Sequence, residues 1–291
     1  MTHLKTLIVY GDCQAEATAR VLEKDPVVSK RARVIYSRSY EHPVEQRQDV
    51  DPADVSRCAI LCEQHDPAGF RQRDQLPAGC HIVKFPALDC NLLWPFSCPN
   101  PYNEPEPPVF PFGRFPYGDR VIVEALDKGL PAEEILDYYL HHYQEYKIDL
   151  DHLLRLETAR IRNREATCHV KMADGILERF TTERLFWAIN HPTNALLEEL
   201  IEQLLYYCGP ADPQLVDADA GATLSAYFGP QGPLGAASIP IHPEVAKHFG
   251  LGWYDPDQLF RTWDGTMYSY QQYFAAMIDR AVAFRAMRRP A

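Results

Sequence analysis

The sequence predicts an α/β fold: a small parallel sheet flanked by helices, followed by a large, mostly helical remainder. Three observations carry it. Short apolar runs of strand length recur, helix-compatible stretches separate the early ones, and 46% hydrophobic residues in 291 suffice for a sizeable core. The apolar runs are Leu7–Tyr10, Val34–Tyr36, Ala59–Cys62, His81–Phe85 and Leu185–Ile189, with helical stretches at Gln14–Glu23 and roughly Pro67–Gln75. Strands that alternate with helices give a parallel sheet with helices on its faces. Such sheets place their sites beyond the carboxyl ends of the strands. Gly11–Gln14, Glu63–His65, Pro86–Asp89 and Asn190–Asn194 are therefore expected along one edge.

The remainder is punctuated by its prolines and glycines. Residues 95–117 are dense in proline and carry Phe96, Tyr102, Phe110, Phe112, Phe115 and Tyr117. Proline prevents regular pairing there, while the aromatics give the loop something to bury. It reads equally as a wall over a pocket and as a loop packed on the core. Helices are expected at Asp119–Lys128, from Pro131 onward, and at Asp149–Arg164. Residues 209–243 are rich in Gly and Pro and read as a loop or linker; a short helix near Pro243–Phe249 and a C-terminal helix from about Tyr268 follow. The expected organisation is a single domain over 1–291. Its Rossmann-like core covers about 1–95 plus 180–208, with the Pro-rich loop 95–117, a helical insert 118–180 and a C-terminal helical extension 240–291.

Charge narrows the partners. There are 29 basic and 40 acidic residues, a formal net of -11, which argues against nucleic acid or an anionic membrane surface as a partner. No stretch approaches the ~20 apolar residues of a membrane span, and MTHLKTLIVYGD lacks the make-up of a signal peptide. The eight cysteines, at 13, 58, 62, 80, 90, 98, 168 and 208, contain no CxxC pair. They read as reduced thiols of a cytoplasmic protein, with no metal site. The tyrosines Tyr138, Tyr139, Tyr143 and Tyr146 form either an interface or part of the core, and oligomeric state is open.

Two segments carry chemistry. In LIVYGDCQAEATARVLE, Gly11 and Asp12 break a strand and a helix follows at once, so Cys13 sits at a helix N-terminus. That position favours thiolate over thiol; the bland alternative is a small buried hydrophobe. In LFWAINHPTNALLEELIEQLLYY, a strand ends at Asn190–His191 and a helix follows with Leu196, Leu197, Leu200, Ile201, Leu204 and Leu205 on one face. His191 suits either capping of that helix through its imidazole or a general base titrating near working pH. A thiol beside an imidazole is the minimum apparatus of acyl transfer, and the two helix N-termini suit an oxyanion or a pyrophosphate. Gln64, after a strand, offers an amide donor. Asp89, Asp119 and Asn190 are candidates to orient the imidazole. Lys84, Arg114, Arg120 and the arginines at 155–164 are candidates for phosphate contact, although a charge run is more often a solvated helix face.

GDCQAEATARVLE resembles the GNCQ opening of the WcbI-type polysaccharide biosynthesis enzymes. NHPTN, the PYN at 101–103 and IPIHPEVAKHFGLGW at 239–253 are similar to that family's downstream blocks. The resemblance spans roughly residues 5–275. It implies an enzyme of bacterial capsule or surface polysaccharide production that binds coenzyme A and acts as an acetyltransferase on a sugar hydroxyl, with acetyl-coenzyme A as co-substrate. Cys13 and Gln14 match the opening motif and His191 the later histidine. Catalytic Cys13 and His191, with Gly11, Asp12, Gln14, Gln64, Asn190, Thr193 and Asn194 around the cofactor, form the expected site. Asp12 stands where the family pattern has Asn; an aspartate caps the helix, but its charge opposes thiolate formation. Two other classes remain open. An SGNH-type sugar esterase shares the nucleophile position but uses Ser, and its C-terminal DxxH is not evident here. A non-enzymatic nucleotide-binding or scaffold protein of polysaccharide assembly needs no nucleophile.

Overall fold

The computed structural model describes residues 4–42, 45–46, 48–146 and 148–288, with the side chains of Tyr143, Gln144 and Arg288 outside the description. It is an α/β fold of two compact units. The first comprises residues 1–89, 158–180 and 184–235; the second comprises 90–157, 181–183 and 236–291. The sheet segment at about 1–95 falls almost wholly in the first unit. The loop at 95–117 and the C-terminal helices fall in the second, and the 118–180 stretch contributes to both.

The first unit is built on four parallel strands, β1 (Lys5–Gly11), β2 (Ala32–Arg38), β3 (Cys58–Gln64) and β4 (His81–Phe85), in the order β2-β1-β3-β4. The sequence runs outward from β1 to β2, then returns across it to β3. The strand order thus reverses between β1 and β3, and the crevice at their carboxyl ends is where open α/β sheets take ligands. Alternation sorts the side chains of β1. Ile8 and Tyr10 pack on one face with Val50, Val55, Leu61 and Phe70, and the Tyr10 and Phe70 rings meet edge to face at 5.7 Å. On β3, Leu61 serves this cluster, so the adjacent Cys62 faces the other side. There its Sγ lies 3.8 Å from Cys208 on the Asn194–Cys208 helix. Helix α1 (Cys13–Lys24) packs against β1 and β2.

Three expectations are corrected here. Leu185–Ile189 is not a fifth parallel strand. Phe186–Ala188 pairs antiparallel with His191–Pro192 in a separate two-stranded ribbon. Three residues, an immediate turn and a helix starting at Asn194 leave no length to enter the sheet. Nor is Pro67–Gln75 a helix: only a single 3-10 turn, Arg73–Gln75, forms. Gly69, at φ 64, breaks the run. The buried Glu63 carboxylate instead accepts the Phe70 N–H at 2.9 Å and pairs with Arg73, holding the crossover as a pinned loop. The 209–243 stretch is also more ordered than a linker, with a helix at Ala220–Phe228 capped by Asp219.

In the second unit the Pro-rich stretch is closed at its base by Ser97–Pro99 pairing antiparallel with Tyr117–Asp119. Phe96 and Phe115 are buried, while Arg114 is gripped by Glu106 and Asp264. The loop also helps to wall a cavity of about 220 Å³ through Tyr102, Asn103 and Phe115, opposite Met277 and Phe284. Both readings of the loop therefore hold. The Arg120–Asp127 helix is capped by Asp119, which accepts from Val121 N and the Tyr139 hydroxyl, so Asp119 and Arg114 are engaged within this unit. Tyr139 is buried against Phe274, with Tyr138 and Tyr146 half-buried beside it; the Tyr143 side chain lies outside the described residues.

Candidate active site

The site is assembled at the β1–β3 crevice by one glycine and two glutamines. Gly11 ends β1 at φ 155, a conformation that side chains rarely adopt. Asp12 caps α1, accepting the Gln14 N–H at 2.8 Å. Its own N–H donates to Gln64 Oε1 at 2.7 Å, which ties the end of β1 to the end of β3.

Gln14 is fully buried, and its amide is saturated. Nε2 donates to Leu88 O at 2.5 Å and Asn190 O at 2.8 Å; Oε1 accepts from Leu88 N at 2.8 Å and Gln64 Nε2 at 3.2 Å. Gln14 and Gln64 were expected at the cofactor. Both also act as braces that fasten β1, β3, the segment after β4 and the 185–192 ribbon to one another. Convergence of the four segments on one edge is thus achieved, with Asn190 reaching it from a ribbon turn rather than from a fifth strand.

Cys13 opens α1 and is half-buried. Asn190 Nδ2 approaches its Sγ at 3.9 Å. The helix terminus does not make the thiol acidic. Burial pushes its pKa well above the usual thiol range, and the charges of Asp12 and Glu16 push the same way. Cys13 therefore rests as a thiol at neutral pH. Asp12→Asn is expected to speed alkylation of Cys13 by iodoacetamide at pH 7.5, because a raising charge is removed. An unchanged or slower rate, read by peptide mass spectrometry, would contradict this electrostatic account.

His191 lies next to Asn190, but it is 5% exposed and burial pushes its pKa down to about 4. Its ring is hydrogen-bonded to the Leu234 backbone. It does not cap the helix, since Thr193 occupies that position. Titration near working pH is also corrected: desolvation holds the imidazole neutral. The folded pKa lies below the unfolded value of 6.5, so the neutral ring contributes its full stability above pH 6.5 and loses it as pH falls toward 4. His191→Gln is expected to flatten the acid limb of a stability-against-pH curve by up to about 3 kcal/mol. Chemical denaturation from pH 4 to 8 checks this, and an unchanged acid limb would refute it.

Thr193 donates its N–H to Leu185 O at 2.9 Å. Its buried Oγ1 has no partner among the described residues, and neither has Asn194 Oδ1; Asn194 Nδ2 holds Gly229 O at 2.8 Å. Both side-chain oxygens lie buried at the start of a 15-residue helix. The sequence reading missed Tyr36, whose hydroxyl lies 3.2 Å from both Gly11 O and Asp12 O. Burial raises the pKa of both Tyr36 and Tyr40, so their hydroxyls stay protonated beside the Cys13 thiol. The signal was present: the carboxyl end of β2 belongs to the same edge and follows from the same rule as the other strand ends. Among the described residues, no cluster of three or more His, Cys, Asp or Glu could hold a metal ion, and no helix is long and apolar enough to cross a membrane.

The family model for the polysaccharide biosynthesis enzyme WcbI matches residues 6–213, from the first strand through the Asn194–Cys208 helix. The chain belongs to the WcbI family of polysaccharide biosynthesis enzymes. A solved WcbI structure superposes with a TM-score of 0.71 over 98% of this chain and 93% of the other, at 18% identity. That WcbI is described as a novel polysaccharide biosynthesis enzyme, in native form without a disulfide bond between coenzyme A and one of its cysteines. At that identity the likeness establishes a shared fold. No curated protein matches the chain by sequence. WcbI membership makes this protein an enzyme of polysaccharide biosynthesis, built on the α/β fold predicted from its sequence.

Proposed function

We propose that this WcbI-family enzyme transfers an acyl group, acetyl in the simplest case, from acyl-coenzyme A to a sugar hydroxyl. One observation carries the reading: a half-buried thiol, Cys13, opens a helix at the crevice where the sheet order reverses. The description of the related WcbI, which names coenzyme A together with a cysteine in a form without a disulfide between them, supports it.

The protonated state of Cys13 favours direct transfer over an acyl-cysteine intermediate. In the direct route the sugar hydroxyl gives its proton to a base as its oxygen attacks the thioester carbonyl. The carbon–sulfur bond breaks, and coenzyme A leaves as a thiolate that takes up a proton. His191 is the proposed proton acceptor in its neutral form. A base of low pKa shifts the acid limb of the rate profile, so the limb is expected near pH 4–5 rather than at 6–7.

Calorimetric titration with coenzyme A and acetyl-coenzyme A tests the reading. Saturable binding is expected, together with a rise in melting temperature by linkage. Silence at millimolar ligand would remove the reading, and acceptor-dependent release of free coenzyme A would extend it to transfer. Hydrolysis of sugar esters without coenzyme A would favour the esterase class instead.

A further inference from the structure

We propose that Cys58 and Cys80 form a redox-modification site, at which a hydroperoxide oxidises Cys80 and Cys58 resolves the product to a disulfide. This chemistry is independent of the acyl-coenzyme A reading. The two Sγ atoms lie 3.7 Å apart. Cys58 belongs to the buried cluster of Ile8, Tyr10 and Leu61, and Cys80 packs against that cluster. The backbone explains their meeting. β3 pairs with β4 from Ile60 opposite His81, so Cys80 stands one step before the first pair. Against β1, β3 carries one extra residue, since Thr6 faces Cys58 while Leu7 faces Ile60. That bulge resets the alternation of side chains, and Cys58 shares a face with Leu61. Adjacent strands run about 4.8 Å apart. Residues at this offset therefore fall in the ~4.4–6.8 Å range of Cα separations that a disulfide spans.

Contact alone does not make a reactive pair, and a second pair in the same unit shows the difference. Cys62 and Cys208 meet at 3.8 Å, but both are buried away from solvent. Cys80 is half-exposed, and a Cβ added at the adjacent Gly79 would meet open space. The hydrogen bond with Cys58 lowers the pKa of the Cys80 thiol, and the charge of Arg73 acts in the same direction. Cys58, raised by the same bond and by its burial, rests as a thiol. A reachable thiol that ionises readily, beside a resolving partner, is the arrangement that peroxide-sensitive cysteines use.

The steps balance. The Cys80 thiolate attacks one peroxide oxygen, the O–O bond breaks, and the departing oxygen takes up a proton. Cys80 is then a sulfenic acid. The Cys58 sulfur attacks the Cys80 sulfur, the S–O bond breaks, and the proton of Cys58 leaves with the departing hydroxide as water. Two thiols are oxidised and one hydroperoxide is reduced. The bond closes at the amino ends of β3 and β4, opposite the strand ends that carry Cys13.

The competing role is packing: the thiols would only fill space. The test treats the full chain with hydrogen peroxide below its melting transition and maps disulfides in non-reducing peptide digests. A parallel sample contains dimedone, which captures sulfenic acid. A Cys58–Cys80 disulfide that dithiothreitol reverses is expected, with Cys62–Cys208 forming at least about tenfold more slowly because neither thiol is reachable. Cys58→Ser is expected to accumulate dimedone-labelled Cys80. Cys80→Ser is expected to leave Cys58 a free thiol.

Cys58 and Cys80 remaining thiols in the folded chain would overturn the proposal. So would Cys62–Cys208 forming at the same rate, or the half-exposed Cys98 taking up dimedone as fast as Cys80. Should Cys58→Ser fail to fold, the disulfide map and the dimedone label of the unaltered chain decide between the two roles.

Discussion

Gly11→Ala is expected to cost about 3–5 kcal/mol of stability, through strain at a positive φ and overpacking of a filled crevice. The backbone there sits at φ 155, and an added Cβ would collide with Gln64 Oε1 while standing 2.6 Å from Gln64 Cβ and 2.8 Å from Ala15 Cβ. Neither neighbour can retreat cheaply. Gln64 Oε1 holds Asp12 N, and Ala15 is fully buried in the first turn of α1. Relief would require moving the helix start that carries Cys13, so ligand binding should be lost along with stability. Denaturant unfolding and the coenzyme A titration read the two effects separately. A variant of unaltered stability would mean that the close approach of β1 to Gln64 is not needed.

Gln14→Ala is expected to be comparably severe, also about 3–5 kcal/mol, because deleting one amide strands several buried groups at once. Leu88 N, Leu88 O, Asn190 O and Gln64 Nε2 would all lose a partner in a site that is closed to water around Gln14. In a chain of this size that corresponds to a fall in melting temperature of roughly 10 °C. Gln14→Glu separates shape from hydrogen bonding. It fills the same volume but aims an oxygen at two carbonyls, so it should also destabilise. If Gln14→Glu were tolerated, the donor role of Nε2 would be wrong. If both variants were stable but failed to bind coenzyme A, Gln14 would be a ligand contact rather than a brace.

The strands β1 to β4 and helix α1 were legible because buried parallel strands appear as apolar runs, and Gly11–Asp12 marks the break between strand and helix. Asp119, Pro131 and Pro243 announced their helices for similar local reasons, and the observed starts fall within a residue of them. Leu185–Ile189 misled because a short apolar run looks the same in a sheet and in an isolated ribbon. Its partner, His191–Pro192, is too short to leave a pattern. Pro67–Gln75 misled because its polar residues are helix-compatible, while the glycine at 69 and the long-range hold of Glu63 on Phe70 and Arg73 decide otherwise.

At the site, the positions were legible and the roles were not. Cys13, Gln14, Gln64 and Asn190 do gather at one edge. That Gln14 is saturated, that Cys13 is held protonated and that His191 is desolvated all depend on burial by residues distant in sequence. The pairing of Arg160 and Arg164 on Asp89 has the same origin: a basic helix face is visible in the sequence, but its counter-ion more than 70 residues earlier is not.

Protection of Cys13 from alkylation by bound ligand tests the central claim most directly. The chain is treated with iodoacetamide with and without saturating acetyl-coenzyme A, and modification is followed at each of the eight cysteines by peptide mass spectrometry. The expected result is slower modification at Cys13 in the presence of ligand and unchanged rates at the other partly exposed thiols, Cys80 and Cys98. Ligand that binds by calorimetry but leaves the Cys13 rate unaltered would place the coenzyme elsewhere and contradict the account.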